Sequence, residues 1–148
     1  MDLGELQSFL LRHLTQEVIP FWIRHSVDWE NGGMWTCLAD DGSILSREKY
    51  IWSNARALWT FSALVNRIAD QHPEYVGADV RETWRQAALG QYHFLKRCGR
   101  DENGYWVFVV LEMPRLGLCS LSRHTARRMD PEAGSPGQQD KRRDRAAS

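Results

Sequence analysis

The sequence predicts an all-α fold with short β-hairpin loops, followed by a disordered tail. Three observations carry that expectation. Apolar residues recur at helical spacing in three stretches, a Glu-Asn-Gly turn follows two of them, and the aromatic residues stop abruptly. The seven tryptophans, four tyrosines and five phenylalanines all lie before residue 109 of the 148.

The first stretch opens with Asp2-x-x-Glu5, which has the form of a capping box. Leu6, Phe9, Leu10, Leu14, Val18, Phe21 and Trp22 follow at helical spacing and predict a helix over 3–25. Pro20 should kink or break it near its last turn, since proline lacks the amide proton. The turn signal Asp28-Trp-Glu-Asn-Gly-Gly33 comes next, then Met-Trp-Thr-Cys-Leu, Asp-Asp-Gly42 and Ser-Ile-Leu. Short run, Asp-Gly turn, short run predicts a hairpin near 34–46.

The second helix is expected over 53–70, with Ser53 or Asn54 as its cap. Ala55, Leu58, Trp59, Ser62 and Val65 share one face, while Phe61, Leu64 and Ile68 share another. Apolar character on more than one side predicts a buried helix. Arg56 falls in its first turn, between Trp52 and Trp59 on one side. A cation there opposes the helix dipole. On pattern alone, two readings of Arg56 stand open. It forms a structural ion pair among core tryptophans, or it points into a pocket and binds an oxyanion or a sugar oxygen against an indole wall.

The third helix is expected over 79–98, opening at Asp79-x-x-Glu82. Val80, Trp84, Ala87, Ala88, Gln91, Leu95 and Cys98 form one stripe, so this should be an outer helix. Lys96 and Arg97 suit its C-terminal end, and Gly99 suits its stop. Asp101-Glu-Asn-Gly-Tyr-Trp106 then repeats Trp29-Glu-Asn-Gly-Gly-Met-Trp35, 72 residues on. Each copy follows an amphipathic helix, which predicts a helical-hairpin array with both Asn-Gly loops at the end where Arg56 sits. A second hairpin is expected near 105–110. Residues 111–148 hold eight basic and five acidic residues, no aromatics, and many Ser, Pro, Gly and Gln. That composition predicts a tail without a packed core.

A formal charge of zero gives no global case for nucleic acid or an anionic membrane. The basic run 141–145 is interrupted by Asp144 and reads as a solvated tail. No apolar run approaches membrane-spanning length, and no basic region followed by an apolar one opens the chain. Cys37, Cys98 and Cys119 are odd in number and widely spaced, which fits reduced thiols and a soluble, cytoplasmic protein. Their spacing suggests no metal site.

Several of these motifs occur together. Ile19-Pro-Phe-Trp-x-Arg-His25, Asp28-x-Glu-Asn-Gly-Gly33 with Thr36-Cys-Leu38, Trp52-x-x-x-Arg56-x-x-Trp59 and Asp101-Glu-Asn-Gly-Tyr-Trp106 stand in order at close spacing. Together they resemble the N-terminal part of the N-acylglucosamine 2-epimerase family, over about residues 6–110. The resemblance implies that 1–110 is the N-terminal arc of an (α/α)6 toroid, with 111–148 unrelated to it. It implies a sugar 2-epimerase, interconverting N-acylglucosamine and N-acylmannosamine by removal and return of the C2 proton. An aldose–ketose isomerase or cellobiose-type 2-epimerase is the alternative within the family.

Arg56 matches the arginine of the family's tryptophan-flanked motif, which implies binding of substrate and of the negatively charged intermediate. Tyr50, Trp52, Tyr105 and Trp106 are candidate pocket walls, with Trp59 assigned to the core. The expected partner is a small-molecule sugar, with no cofactor and no metal, and full-length relatives are expected to be homodimeric. The family's acid–base pair is two histidines, and His13, His25, His72, His93 and His124 match neither. General acid–base catalysis contributes about 10²–10⁴-fold, so the chain is expected to be a fragment without activity of its own. Two functions outside that class stand as alternatives. One is a non-catalytic carbohydrate-binding remnant. The other is hydrolysis by Asp28, Glu30, Asp101 or Glu102, whose Asn-Gly context reads as turn chemistry.

Overall fold

The computed structural model describes residues 2–113 and 118–121. Three helical stretches stand where the periodicity places them, and a three-stranded antiparallel sheet, its strands in chain order, joins them at one end.

The first stretch, 3–25, runs as an α-helix Leu3–His13, a π-turn Leu14–Val18 and an α-helix Ile19–His25. Its capping box forms as expected: Asp2 and Glu5 each accept the other's backbone N–H at 2.8 Å. Pro20 does not break the helix. Its ring crowds the carbonyl one turn back, and the wider π-turn just upstream makes room for it. The buried face also differs from the expected stripe. Leu11, Thr15 and Ile19 turn inward, whereas Leu3, Leu6, Phe9 and Leu10 are exposed. Periodicity reports that a face is apolar but not which neighbour covers it, and no described element lies over this one. With Gln7, Leu11 and Leu14, three of these leucines line an open apolar groove of about 340 Å³.

Residues 27–46 form no ladder of strands. The expected hairpin reduces to isolated bridges at Val27–Met34 and Leu38–Ile44, with Leu45 N–H donating to Cys37 O at 2.8 Å. A short strand β1, Glu48–Tyr50, then leads directly into the second helix. That helix starts at Ile51, two residues before the expected start, and neither Ser53 nor Asn54 caps it. It continues through a π-turn Leu64–Val65-Asn66-Arg67-Ile68 to Gln71. Ile51, Asn54, Ala57, Phe61 and Leu64 face inward. Trp52, Ala55, Arg56 and Trp59 face outward. The helix is therefore buried on one side, and Trp59, assigned to the core by sequence, is 69% exposed. The third helix covers one face only, and no described element lies opposite.

The third helix, Ala78–Cys98, buries Trp84, Ala87, Ala88, Gln91, Leu95 and Cys98 as expected, and Phe94 besides. The Asp79-x-x-Glu82 box does not form, because Gly77 stands at the cap. Glu82 instead binds Arg85 at 2.7 and 2.8 Å. The larger core lies among the three helices, around Ile19, Phe61, Leu64, Trp84 and Ala87. A smaller one, Ile51, Phe94, Leu95, Cys98 and Val110, lies under the sheet.

Strand β2, Val109–Met113, pairs with β1 (Lys49 opposite Val110) and with β3, Leu118–Leu121. The expected second hairpin is thus a single Arg100–Trp106 bridge followed by a strand that runs past residue 110. The rest of the expected tail, 114–117 and 122–148, lies outside the described residues. Cys98 is disulfide-bonded and Cys37 is free, which corrects the expectation of reduced thiols at Cys98.

Candidate functional site

The repeated Asn-Gly loops share one construction, and an aspartate rather than the Asn-Gly pair anchors it. Asp28 Oδ1 accepts from Glu30 N (3.2 Å) and Asn31 N (3.1 Å). Its backbone closes the turn through Gly32 N–H (2.9 Å) and Gly33 O (3.0 Å). Asp101 Oδ1 likewise accepts from Asn103 N and Tyr105 N, both at 2.9 Å. Its backbone closes on Gly104 N–H at 3.0 Å and Tyr105 O at 2.9 Å. One bridge seals each loop, Val27–Met34 or Arg100–Trp106, the first loop holding one residue more. Both loops meet the start of the second helix. Ile51 N–H donates to Phe108 O at 3.0 Å, and Met34 N–H donates to Asn54 Oδ1 at 2.7 Å.

Two buried polar side chains fasten this end. Lys49 is wholly buried, its Nζ 2.7 Å from Asp28 Oδ2 and 2.7 Å from Gly32 O. The rings of Trp35 and Phe94 lie 5.2 and 5.1 Å from that ammonium, so its charge is balanced by a carboxylate, a carbonyl and two π faces. Burial alone would raise the Asp28 carboxyl pKa. Hydrogen bonds from Lys49 and Asn31 and the Lys49 charge outweigh burial and hold it below the usual value. Asn54, also wholly buried, accepts from Met34 N and donates to Tyr50 O at 2.8 Å. Its expected capping oxygen therefore ties the first loop to the helix instead.

Above these fastenings lie the candidate residues. Arg56 is exposed, its guanidinium 5.9 Å from the Trp52 ring centre. Trp52 is 54% exposed. Tyr50 precedes the helix, edge-on to Phe108 at 5.6 Å, with its hydroxyl 3.5 Å from Glu48 Oε2. The nearby Glu48 carboxylate raises the phenol's pKa, with desolvation adding to it. The structure thus brings Tyr50, Trp52 and Arg56 together at one helix end. Tyr105 and Trp106 stand on the second loop, both largely exposed. Trp106 meets Arg100, whose guanidinium lies 4.5 Å from its ring centre, and packs on Gly99 rather than on Arg56.

The described histidines make their contacts elsewhere. His13 pairs with Glu17, His72 with Glu74, His25 lies tilted against Phe21 and His93 meets Tyr92 edge-on. Among the described residues no group of three or more His, Cys, Asp or Glu could hold a metal. No helix among them is long and apolar enough to cross a membrane.

Comparison with known proteins finds similarity to sugar 2-epimerases over part of the chain. The chain is 45% identical over 47 residues to N-acylglucosamine 2-epimerase of Rattus norvegicus, covering 32% of this chain and 11% of that protein. It is 37% identical over 62 residues to the Bos taurus enzyme of that name, covering 41% and 15%. The chain resembles sugar 2-epimerases. A cellobiose 2-epimerase of Bacteroides fragilis is also similar, 36% identical over 59 residues, covering 39% of this chain and 15% of that one. These aligned stretches span no more than 15% of their relatives' length. No family model matches the chain.

Sequence reasoning missed the Asp28–Lys49 pair and the Asn54 cross-link. The available signal was alternation in Glu48-Lys49-Tyr50, which turns Lys49 to the side opposite its neighbours once β1 is recognised.

Proposed function

We propose that this chain carries the arginine-bearing part of a sugar 2-epimerase site, of the type that interconverts N-acylglucosamine and N-acylmannosamine. The observation that carries the reading is the cation-bearing face of the second helix. Arg56 and Trp52 stand exposed at its first turns, in a chain similar over part of its length to named 2-epimerases. Removing the proton at C2 of an open-chain sugar puts negative charge on the neighbouring carbonyl oxygen. A fixed guanidinium stabilises that charge more than it stabilises the neutral substrate. An indole face suits the apolar C–H face of the sugar, and Tyr50, Tyr105 and Trp106 are the further walls of the proposed pocket. The helix-loop-helix order supports an arc of an (α/α)6 ring, in which the uncovered faces of the first and second helices meet further helices.

Arg56 cannot act as the base, because its pKa stays above about 12. None of the chain's five histidines matches the family's acid–base pair, so on this reading the 148-residue chain by itself binds a sugar without epimerising it. The same exposed Arg–Trp face supports a second reading, a carbohydrate-binding role without catalysis. Saturation-transfer NMR with N-acetylmannosamine tests the shared premise. Transfer to the sugar is expected with the native chain and is lost in Arg56→Ala. No transfer to begin with, or equal transfer in the variant, overturns the assignment of this face.

A further inference from the structure

Lys49 is the buried charge for which the proposed chemistry has no use. Its ammonium lies on Asp28 and Gly32, and Tyr50, Trp52 and Arg56 follow it in sequence by one, three and seven residues. Its Nζ joins the first Asp loop (Asp28 Oδ2 and Gly32 O, each 2.7 Å) to the ring of Phe94 on the third helix. Its backbone pairs with Val110 of β2. We infer that the Asp28–Lys49 pair is a positioning device that fixes the register of β1, and thereby the side to which Tyr50 turns and the phase at which the second helix presents Trp52 and Arg56. The inference rests on the sugar-site reading of that face.

The reasoning is one of energy against geometry. A buried ion pair adds little net stability over a well-packed apolar pair, because desolvating two charges cancels much of their attraction. What such a pair does supply is a penalty for misplacement. A slip of one residue in β1 would swing Lys49 out of its slot, leave Asp28 buried without a counter-charge and turn Tyr50 inward. Strand β1 has only three residues, Glu48–Tyr50, so its backbone ladder alone defines register weakly. Lys49 supplies the missing specification at the point where the strand becomes the helix.

The test removes the charges together, in Asp28→Asn/Lys49→Met. Asparagine keeps an oxygen for the Glu30 and Asn31 amides, and methionine fills the channel of the lysine stem. The double variant is expected to unfold near the native urea midpoint. Its affinity for N-acetylmannosamine by ligand-observed NMR should fall at least fivefold, and amide exchange over 50–56 should quicken while exchange over 84–95 stays unchanged. A purely structural pair would move the midpoint and leave affinity in proportion. Native affinity with native exchange over 50–56 overturns the inference. If the native chain binds no sugar, the reading of the site fails on its own. Amide exchange over 50–56 then decides the positioning claim, quickening supporting it and unchanged protection overturning it.

Discussion

Replacing Asn54 by alanine tests how the loop end is held. Asn54 is wholly buried and joins two segments, accepting from Met34 N–H at 2.7 Å and donating to Tyr50 O at 2.8 Å. Alanine leaves the Met34 amide buried without its acceptor, which costs about 1–3 kcal/mol. The lost bond to Tyr50 adds about 0.5–1.5 kcal/mol. The native side chain pays its own desolvation, so the net loss should be about 2–4 kcal/mol, large against a typical domain stability of about 5–15 kcal/mol. With a urea dependence of about 2 kcal/mol per molar, the middle of the usual range, the unfolding midpoint should fall by about 1–2 M. Tryptophan fluorescence reads the midpoint, and hydrogen exchange reads the Met34 amide. A loss under about 0.5 kcal/mol, the size of an ordinary surface substitution, would refute the cross-link. So would unchanged protection at Met34.

Gln91 supplies the opposite case. It is wholly buried with neither amide atom hydrogen-bonded among the described residues, so Gln91→Leu should stabilise by about 1–3 kcal/mol, read as a higher urea midpoint. A lower midpoint would contradict it. Gly33→Ala should destabilise by about 1–3 kcal/mol, since φ is +77° and a Cβ would stand 2.8 Å from Phe94 Cγ; thermal unfolding checks this. Asp28 has a folded pKa below its ordinary 3.8. Its contribution is therefore present above that value and is lost as pH falls through the lower folded pKa. Asp28→Asn should flatten the acid limb of the stability profile. Glu82→Gln should leave that limb nearly unchanged although Arg85 and Gln86 lower its carboxyl to about 2, because both partners of that pair lie in solvent. In a complete relative carrying the Trp-x-x-x-Arg-x-x-Trp motif, alanine at the position of Arg56 should lower kcat more than it raises KM. Steady-state kinetics separates the two, and an unchanged kcat would remove the charge-stabilising role.

The helices were legible because their signals are local. Apolar spacing located all three, and Asp2-x-x-Glu5 located a start that the structure forms. The same box at Asp79 failed, because Arg85 and Gln86 compete for Glu82 and leave Gly77 as the cap. Which apolar face is buried depends on neighbours distant in sequence, so Leu6, Phe9, Leu10 and Trp59, expected inward, stand outward. The recurrence of Glu-Asn-Gly correctly signalled two like loops, while the aspartate that builds each was visible only once its hydrogen bonds were. At the candidate site, the clustering of Tyr50, Trp52 and Arg56 follows from their being close in sequence. The Lys49 slot does not, since it is assembled from Asp28, Trp35 and Phe94 across three segments.

The proposal that this chain holds the charge-stabilising part of an epimerase site without its proton-transfer part is tested most directly by isotope exchange. The purified 148-residue chain is incubated with N-acetylmannosamine in deuterium oxide, and the sugar is examined by proton NMR for loss of the C2 signal. The expected result is deuterium at C2 no greater than in buffer alone, with no N-acetylglucosamine formed. Deuterium at C2 above that control would show that a base within this chain removes the proton, and would contradict the division of the site proposed for it.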